Sequence, residues 1–350
     1  MDRVVRRDSN FELLRIVSML FVLFHHLIYY SNFRIGQIFQ FNDFILTAFE
    51  SAGKLGVSLF VMITGYYKIK SKDVKISKLV GLELQVLFYS IGIFVLFMLF
   101  SNKSFILGDI PKIFLPNISK SYWFFSSYFI LCLFIPYLNK LVNNIDKKEY
   151  MRLLIIGFIF LILIPSVVIY NSIISEGVYL YYYYLVGGYI RLYCNDIKGG
   201  IKYLIGFSIL YLFIILMTMF LGRLSYSNDI LLQYVWTYTK LRSILVFLSA
   251  LCLFIFFKDL KLGNNKIINL VASTSFGVYL FHEHPFVREL LWGSLFTFDK
   301  LLNSNNIFIT GIVIAILIYI IGFIIDLIRQ VLFKYFTNVF TKVGWKKLFN

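Results

Sequence analysis

The sequence predicts an all-α fold: a polytopic membrane helical bundle of about ten transmembrane helices with both termini in the cytoplasm. Three observations lead there: the composition, the number of apolar stretches long enough to cross a bilayer, and the placement of the basic residues. Of the 350 residues, 59% are apolar, 19% aromatic and only 15% charged. A soluble domain runs nearer about 45–50% apolar and about 25% charged. With a mean hydropathy of +0.79 the chain has more apolar surface than a soluble core could bury. That excludes a soluble enzyme, a disordered tail and a secreted disulfide scaffold. In hydrocarbon, a helix satisfies its own backbone polar groups.

A crossing helix needs about 20 mostly apolar residues. In chain order the candidates are 11–30, 46–67, 79–100, 122–138, 151–170, 178–194, 201–221, 243–257, 267–285 and 306–328. The fourth, sixth and eighth are short. The first follows a basic N-terminus, as a signal peptide would, but lacks a small-residue cleavage site. Arg15 and two histidines also interrupt it, so it reads as an uncleaved span. No loop exceeds about 25 residues, so residues 1–350 read as a single integral-membrane domain.

The net charge of +16 would suggest nucleic acid on a soluble protein. Here the distribution decides. With the N-terminus inside, 23 of the 34 Lys and Arg fall in cytoplasmic segments and 10 in outer ones. The inner set starts with Arg3, Arg6 and Arg7, and continues through the lysines at 68–78 to Lys347. This is the bias that orients membrane proteins, with no concentrated basic face for nucleic acid. Cys132, Cys194 and Cys252 lie in or beside apolar runs without metal-ligand spacing, so neither a metal site nor a disulfide framework is expected.

Arg15 is the basic residue that the loops do not absorb. Intramembrane charge is costly and points to function, with structural pairing as its rival. Arg15 and His26 are eleven positions apart, close to whole turns, so they share one helix face about 16 Å apart along the axis. His25 points about 100° away. Glu12, three residues before Arg15, can pair with it. A cation near the cytoplasmic end suits a phosphorylated carrier. A histidine deeper in the span suits a general base. The plain alternative is an arginine snorkelling to the interface and histidines bonded to neighbouring helices.

The run FELLRIVSMLFVLFHH resembles the opening signature of the acyltransferase-3 family of integral-membrane acyltransferases, with Glu12, Arg15 and His26 in register. Gly56-Val57-Ser58-Leu59-Phe60 through Thr64-Gly65-Tyr66 is similar to the family's second-helix motif. Tyr122-Trp123-Phe124-Phe125 is similar to its tryptophan-led fourth helix, and Phe276-Gly277-Val278-Tyr279-Leu280-Phe281-His282 to its late YLxH motif. Thr64 stands where the family usually has serine. Lys68, Lys70, Lys72, Lys75 and Lys78 stand where many members place an Arg-x-x-Arg pair.

The resemblance implies an O-acyltransferase of the bacterial cytoplasmic membrane that uses acetyl-CoA, with no permanently bound cofactor. The implied acceptor is a hydroxyl of a surface polysaccharide or its lipid-linked precursor. On this reading His26, Arg15, Glu12 and His282 are the catalytic candidates. Arg15, Lys68 and Lys70 would hold the donor, and Tyr279 and Trp123 the acceptor.

Ser275, Tyr279 and His282 form one stripe of a helix that Pro285 ends. His282 lies about 24 Å and His26 about 22 Å from the cytoplasmic starts of their spans, which permits a shared site. Glu283 and His284 read as loop residues, and the tyrosines at 179–184 as an interfacial belt. Ten helices with buried charge also suit a polysaccharide exporter or other transporter, although no paired Gly/Pro-broken spans favour it. A polysaccharide polymerase would be expected to carry a large outer loop.

Overall fold

A computed structural model describes residues 9–31, 33–100, 113–116, 122–168, 174–302, 304 and 306–342. Arg3, Arg6, Arg7, Lys103, Lys112, Lys120, Lys346 and Lys347 of the charge argument lie outside the described residues. Helix α1 (Ser9–Tyr29) is followed by α2 (Phe41–Ser51), α3 (Gly53–Lys68), α4 (Ile76–Phe100) and α5 (Trp123–Asn143). Next come α6 (Lys147–Gly157), prolonged by a π turn at Phe158–Leu163, then α7 (Glu176–Tyr193), α8 (Ile201–Leu224) and α9 (Ile244–Lys258). Two eight-residue helices follow, α10 (Lys266–Ser273) and α11 (Ser275–His282), then α12 (Pro285–Leu290), α13 (Phe298–Leu302) and the long α14 (Ile307–Lys342).

Among the described residues, eight helical segments are long and apolar enough to cross a membrane: Ser9–Tyr29, Phe41–Lys68, Ile76–Phe100, Trp123–Asn143, Lys147–Val167, Ile201–Leu224, Asp229–Lys258 and Ile307–Phe336. The other two expected spans are helical but differ in kind. Span 178–194 is α7, 18 residues rich in tyrosine and glycine. Span 267–285 is broken at Thr274 into α10 and α11. Both pack against the inner helices, so neither needs lipid-grade apolarity on every side. Helices are thus interrupted at Ala52 and Thr274 without a proline at either break.

Position in the bundle follows composition. α1 is central and touches α2, α3, α9, α10, α11 and α14. Ile205, Ile209 and Leu216 of α8, and Ile316, Ile320 and Ile324 of α14, stay exposed as lipid-facing stripes. α3 and α7 approach closely because a Cβ on Gly65 would strike the Tyr184 carbonyl, and one on Gly187 the Met62 carbonyl. Small residues at crossings do this in membrane bundles, where packing replaces the hydrophobic effect as the force between helices.

That crossing also corrects the tyrosine belt. Tyr179, Tyr182, Tyr183 and Tyr184 are buried. Their hydroxyls cross-link helices: Tyr182 donates to the Leu154 carbonyl (3.1 Å), Tyr183 to the Leu241 carbonyl (2.9 Å) and Tyr184 to Asn139 Oδ1 (2.8 Å). An amphipathic ring at the centre of a bundle must find such partners.

Hydrogen bonds also tie one end together. The Ser9 N–H donates to the Gly263 carbonyl (3.1 Å), and Asn10 Nδ2 to the Phe257 and Lys258 carbonyls (2.9 Å each). Asn139 Nδ2 donates to the Lys68 carbonyl (2.7 Å). The start of α1 and the ends of α3, α5 and α9 therefore lie together, at the end where the lysine-rich connections fall. Asp326 and Arg329 are a pair (2.7 Å) inside a larger cluster, since Asp326 also accepts from Tyr89 (2.9 Å) and Gln85 (3.2 Å) of α4.

Candidate active site

Arg15, Met19, Val22 and His26 recur at three- and four-residue steps, so they form one stripe of α1 that Tyr30, just past its end, continues. The stripe is one wall of a cavity of about 850 Å³. Lys54, Val57, Phe60 and Thr64 of α3, Trp123 and Tyr128 of α5, and Ser275, Phe276 and Tyr279 of α11 supply much of the rest. The cavity has the size and the mixed apolar and polar walls of a small-molecule site.

At the end near the start of α1, Arg15 Nη1 donates to both carboxylate oxygens of Glu12 (3.2 and 3.1 Å). Glu12 is buried and Arg15 only partly so, which leaves the guanidinium oriented and still facing the cavity. Lys68, half-buried at the end of α3, lies within electrostatic reach of Arg15 and Lys78. Lys70 is exposed beyond that helix, and neither lysine is on the cavity wall.

At the opposite end the two histidines meet: His26 Nδ1 lies 2.9 Å from His282 Nε2. His282 Nδ1 is 2.7 Å from the Val278 carbonyl, which can only accept, so Nδ1 carries the hydrogen. In the neutral ring Nε2 is then the lone pair, and it accepts from His26 Nδ1–H. His26 is left with a lone pair on Nε2, the ring edge away from His282. A carbonyl in α11 thus decides the tautomer of a histidine in α1. His282 is fully buried behind His26 and off the cavity wall, so it addresses His26 rather than the cavity itself.

Glu283, read from the sequence as a loop residue, is buried with Oε1 3.4 Å from His26 Nδ1. Tyr30 donates to it (2.8 Å to Oε1), and Arg288 Nη1 donates to the Tyr30 hydroxyl (3.4 Å). His284 is buried too and caps α12, accepting from the Phe286 N–H (3.3 Å). Both are inside because the turn from α11 to α12 folds into the bundle, where linear sequence shows only a helix end before proline. Tyr30 had a readable signal, four residues after His26 on the same stripe; Glu283 had none.

His25 leaves the His26 stripe and donates from Nδ1 to the Glu50 carbonyl (2.7 Å). Its ring packs on Gly53, where a Cβ would collide with it, so the break between α2 and α3 makes room for this histidine. The cavity wraps far enough round α1 for His25 to line its wall as well. Lys54 is ion-paired with Glu176 and sits 4.0 Å from the Trp123 ring centre, which fixes Trp123 on the cavity wall. Tyr279 is buried on the wall, edge-on to Phe124 (5.6 Å between centroids, 81° between planes).

His26, His282 and Glu283 bring three ligand-type atoms within 4.8 Å of one another. The 2.9 Å nitrogen pair is a hydrogen-bond distance. Two nitrogens on one tetrahedral zinc would stand about 3.4 Å apart, so the geometry fits a hydrogen-bonded histidine pair better than a metal centre.

These features define a helical membrane protein whose internal cavity holds a cation at one end and an oriented histidine at the other. The family model described as an acyltransferase domain, acyltransferase-3, matches residues 8–327. The chain belongs to the acyltransferase-3 family and is a membrane acyltransferase. No curated protein and no solved structure matches it.

Proposed function

We propose that this protein moves an acetyl group from acetyl-CoA, entering from the cytoplasm, to a hydroxyl of a surface polysaccharide or its lipid-linked precursor, in a bacterial cytoplasmic membrane. The observation that carries the reading is the single cavity walled by both Arg15 and His26. An extended pantetheine arm is of the same order as the gap of about 16 Å between them along α1. The CoA phosphates sit by Arg15, with Lys68 and Lys78 adding positive potential at the mouth. The thioester lies by His26.

The chemistry follows from the tautomer. His26 Nε2 takes the proton of the acceptor hydroxyl as its oxygen attacks the thioester carbonyl. The tetrahedral intermediate collapses, the C–S bond breaks, and the CoA thiolate leaves with the proton that His26 returns. The positive charge passing through His26 is met by the Glu283 carboxylate 3.4 Å away, itself held by Tyr30. Trp123 and Tyr279 offer ring faces for a sugar at the outer side. No cysteine lines the cavity among the described residues, which favours direct transfer over a cysteine-bound acyl intermediate.

The test is reconstitution into vesicles with radiolabelled acetyl-CoA and membranes containing the glycan. Wild-type protein is expected to label the glycan, while His26→Ala loses about 10²–10⁴-fold in rate, the usual worth of a general base. Equal labelling by His26→Ala and wild type would overturn the mechanism.

A further inference from the structure

Beside the main cavity lies a second polar one, of about 280 Å³, lined by Glu176, Tyr179, Gln233, Trp236, Lys240 and Arg242, among others. Glu176 and Lys240 also line the main cavity, so the two share a wall at its outer end. The small cavity is not needed to hold a donor or to place His26, and it has room for one sugar ring rather than a chain.

Its charges are unequal. Glu176 is already engaged by Lys54 on the other side. Lys240 and Arg242 are the cations of this lining, and among the described residues Arg242 Nε is buried with no hydrogen-bond partner. A guanidinium nitrogen withdrawn from water without an acceptor is costly, and an anion on the partly exposed remainder of the guanidinium offsets that cost electrostatically. The backbone that carries these cations is held in place. Tyr183 donates to the Leu241 carbonyl (2.9 Å), and Ser166 Oγ to the Arg242 carbonyl (3.1 Å). Trp236 and Tyr179 supply aromatic faces and Gln233 an amide, the surface a sugar ring needs.

We infer that this cavity is a second acceptor subsite, which takes a carboxylate-bearing sugar next to the one acylated, so that the acceptor is an acidic glycan of at least two residues. The inference rests on the glycan reading above and narrows it. Arg242 recognises the carboxylate as a fork of donors, Lys240 adds a point charge, and the shared wall sets the spacing between the two sugars.

The test uses purified full-length protein in detergent. Binding is measured by tryptophan fluorescence, without donor, for oligogalacturonate, for oligosialic acid and for each after reduction of its carboxyls to alcohols. At least one acidic probe is expected to bind ten or more times tighter than its reduced form, and Arg242→Gln to remove that preference. Equal binding of acidic and reduced probes, or no binding of either acid, overturns the subsite, and this arm needs no variant to fold. The two readings fail separately. Acetylation of glycans without preference for acids retains acyl transfer and removes the subsite. Acid-selective binding with no acetyl transfer to any glycan retains the subsite and removes the proposed reaction.

Discussion

His26 Nδ1 and His282 Nε2 are 2.9 Å apart, and the Val278 carbonyl behind His282 gives that contact a direction. The pair joins helices 256 positions apart in sequence and turns a backbone acceptor into a lone pair at the cavity. Removing His282 leaves His26 in place but free to take the other tautomer or to turn. His282→Ala is therefore expected to lower kcat about 10–100-fold, a part of what the base itself contributes, with the acetyl-CoA KM unchanged. His282→Gln, whose side-chain oxygen can accept from His26 Nδ1–H, should recover part of the loss. Steady-state kinetics on the three proteins checks this, and an unchanged kcat in His282→Ala would remove the positioning role.

Arg15 predicts the opposite split. Its guanidinium is at the far end of the cavity from His26, so in the proposed reaction it does not touch the reacting atoms. Arg15→Ala should raise the donor KM tenfold or more with a smaller change in kcat, because a charge-assisted contact to phosphate is worth about 1.5–3 kcal/mol. Arg15→Lys should recover only part of this, since an ammonium keeps the charge and loses the fork. Titration with acetyl-CoA at saturating acceptor measures it; a loss confined to kcat would contradict the assignment.

His25 tests whether adjacency to His26 matters more than direction. Its Nδ1–H is committed to the Glu50 carbonyl, so it helps hold the α2–α3 break rather than the His26–His282 pair. His25→Ala should cost less activity than His26→Ala by at least tenfold, and its loss should be accompanied by a lower melting temperature. The two variants assayed side by side decide it, and equal losses without a stability difference would count against the facing argument.

The α3–α7 crossing makes a prediction about stability alone. A methyl at Gly65 would meet the backbone carbonyl of Tyr184, which cannot swing aside as a side-chain end could. Gly65→Ala should destabilise by about 1–3 kcal/mol, the usual cost of overpacking, as a lowered melting temperature in detergent. Gly81→Ala, at a glycine with open space around it, is the control and should leave stability unchanged or slightly raised. Equal melting temperatures for Gly65→Ala and wild type would show that the helices can part at no cost.

Much of the bundle was legible because its causes are local. Apolar runs of about 20 residues declare spans whatever surrounds them. The eleven-position step from Arg15 to His26 places both on one face by helix geometry alone, and Glu12 is within reach of Arg15 for the same reason. The tyrosine-rich α7 misled as an interfacial belt because its hydroxyls are satisfied by groups distant in sequence, which no periodicity displays. Lys68 and Lys70 share a charge, and only the end of α3 decides that one lies near Arg15 while the other faces outward.

The sequence by itself determined a membrane helical protein, its family resemblance, and a cation and a histidine on one face of the first helix. Tertiary structure alone decided which histidine backs which, that Glu283 and Tyr30 belong to the same network, and that a second polar cavity opens beside the first. The reason is range: helix periodicity acts over a few residues. The His26–His282 and Tyr30–Glu283 contacts join groups more than 250 positions apart, and only packing of the whole bundle brings them together.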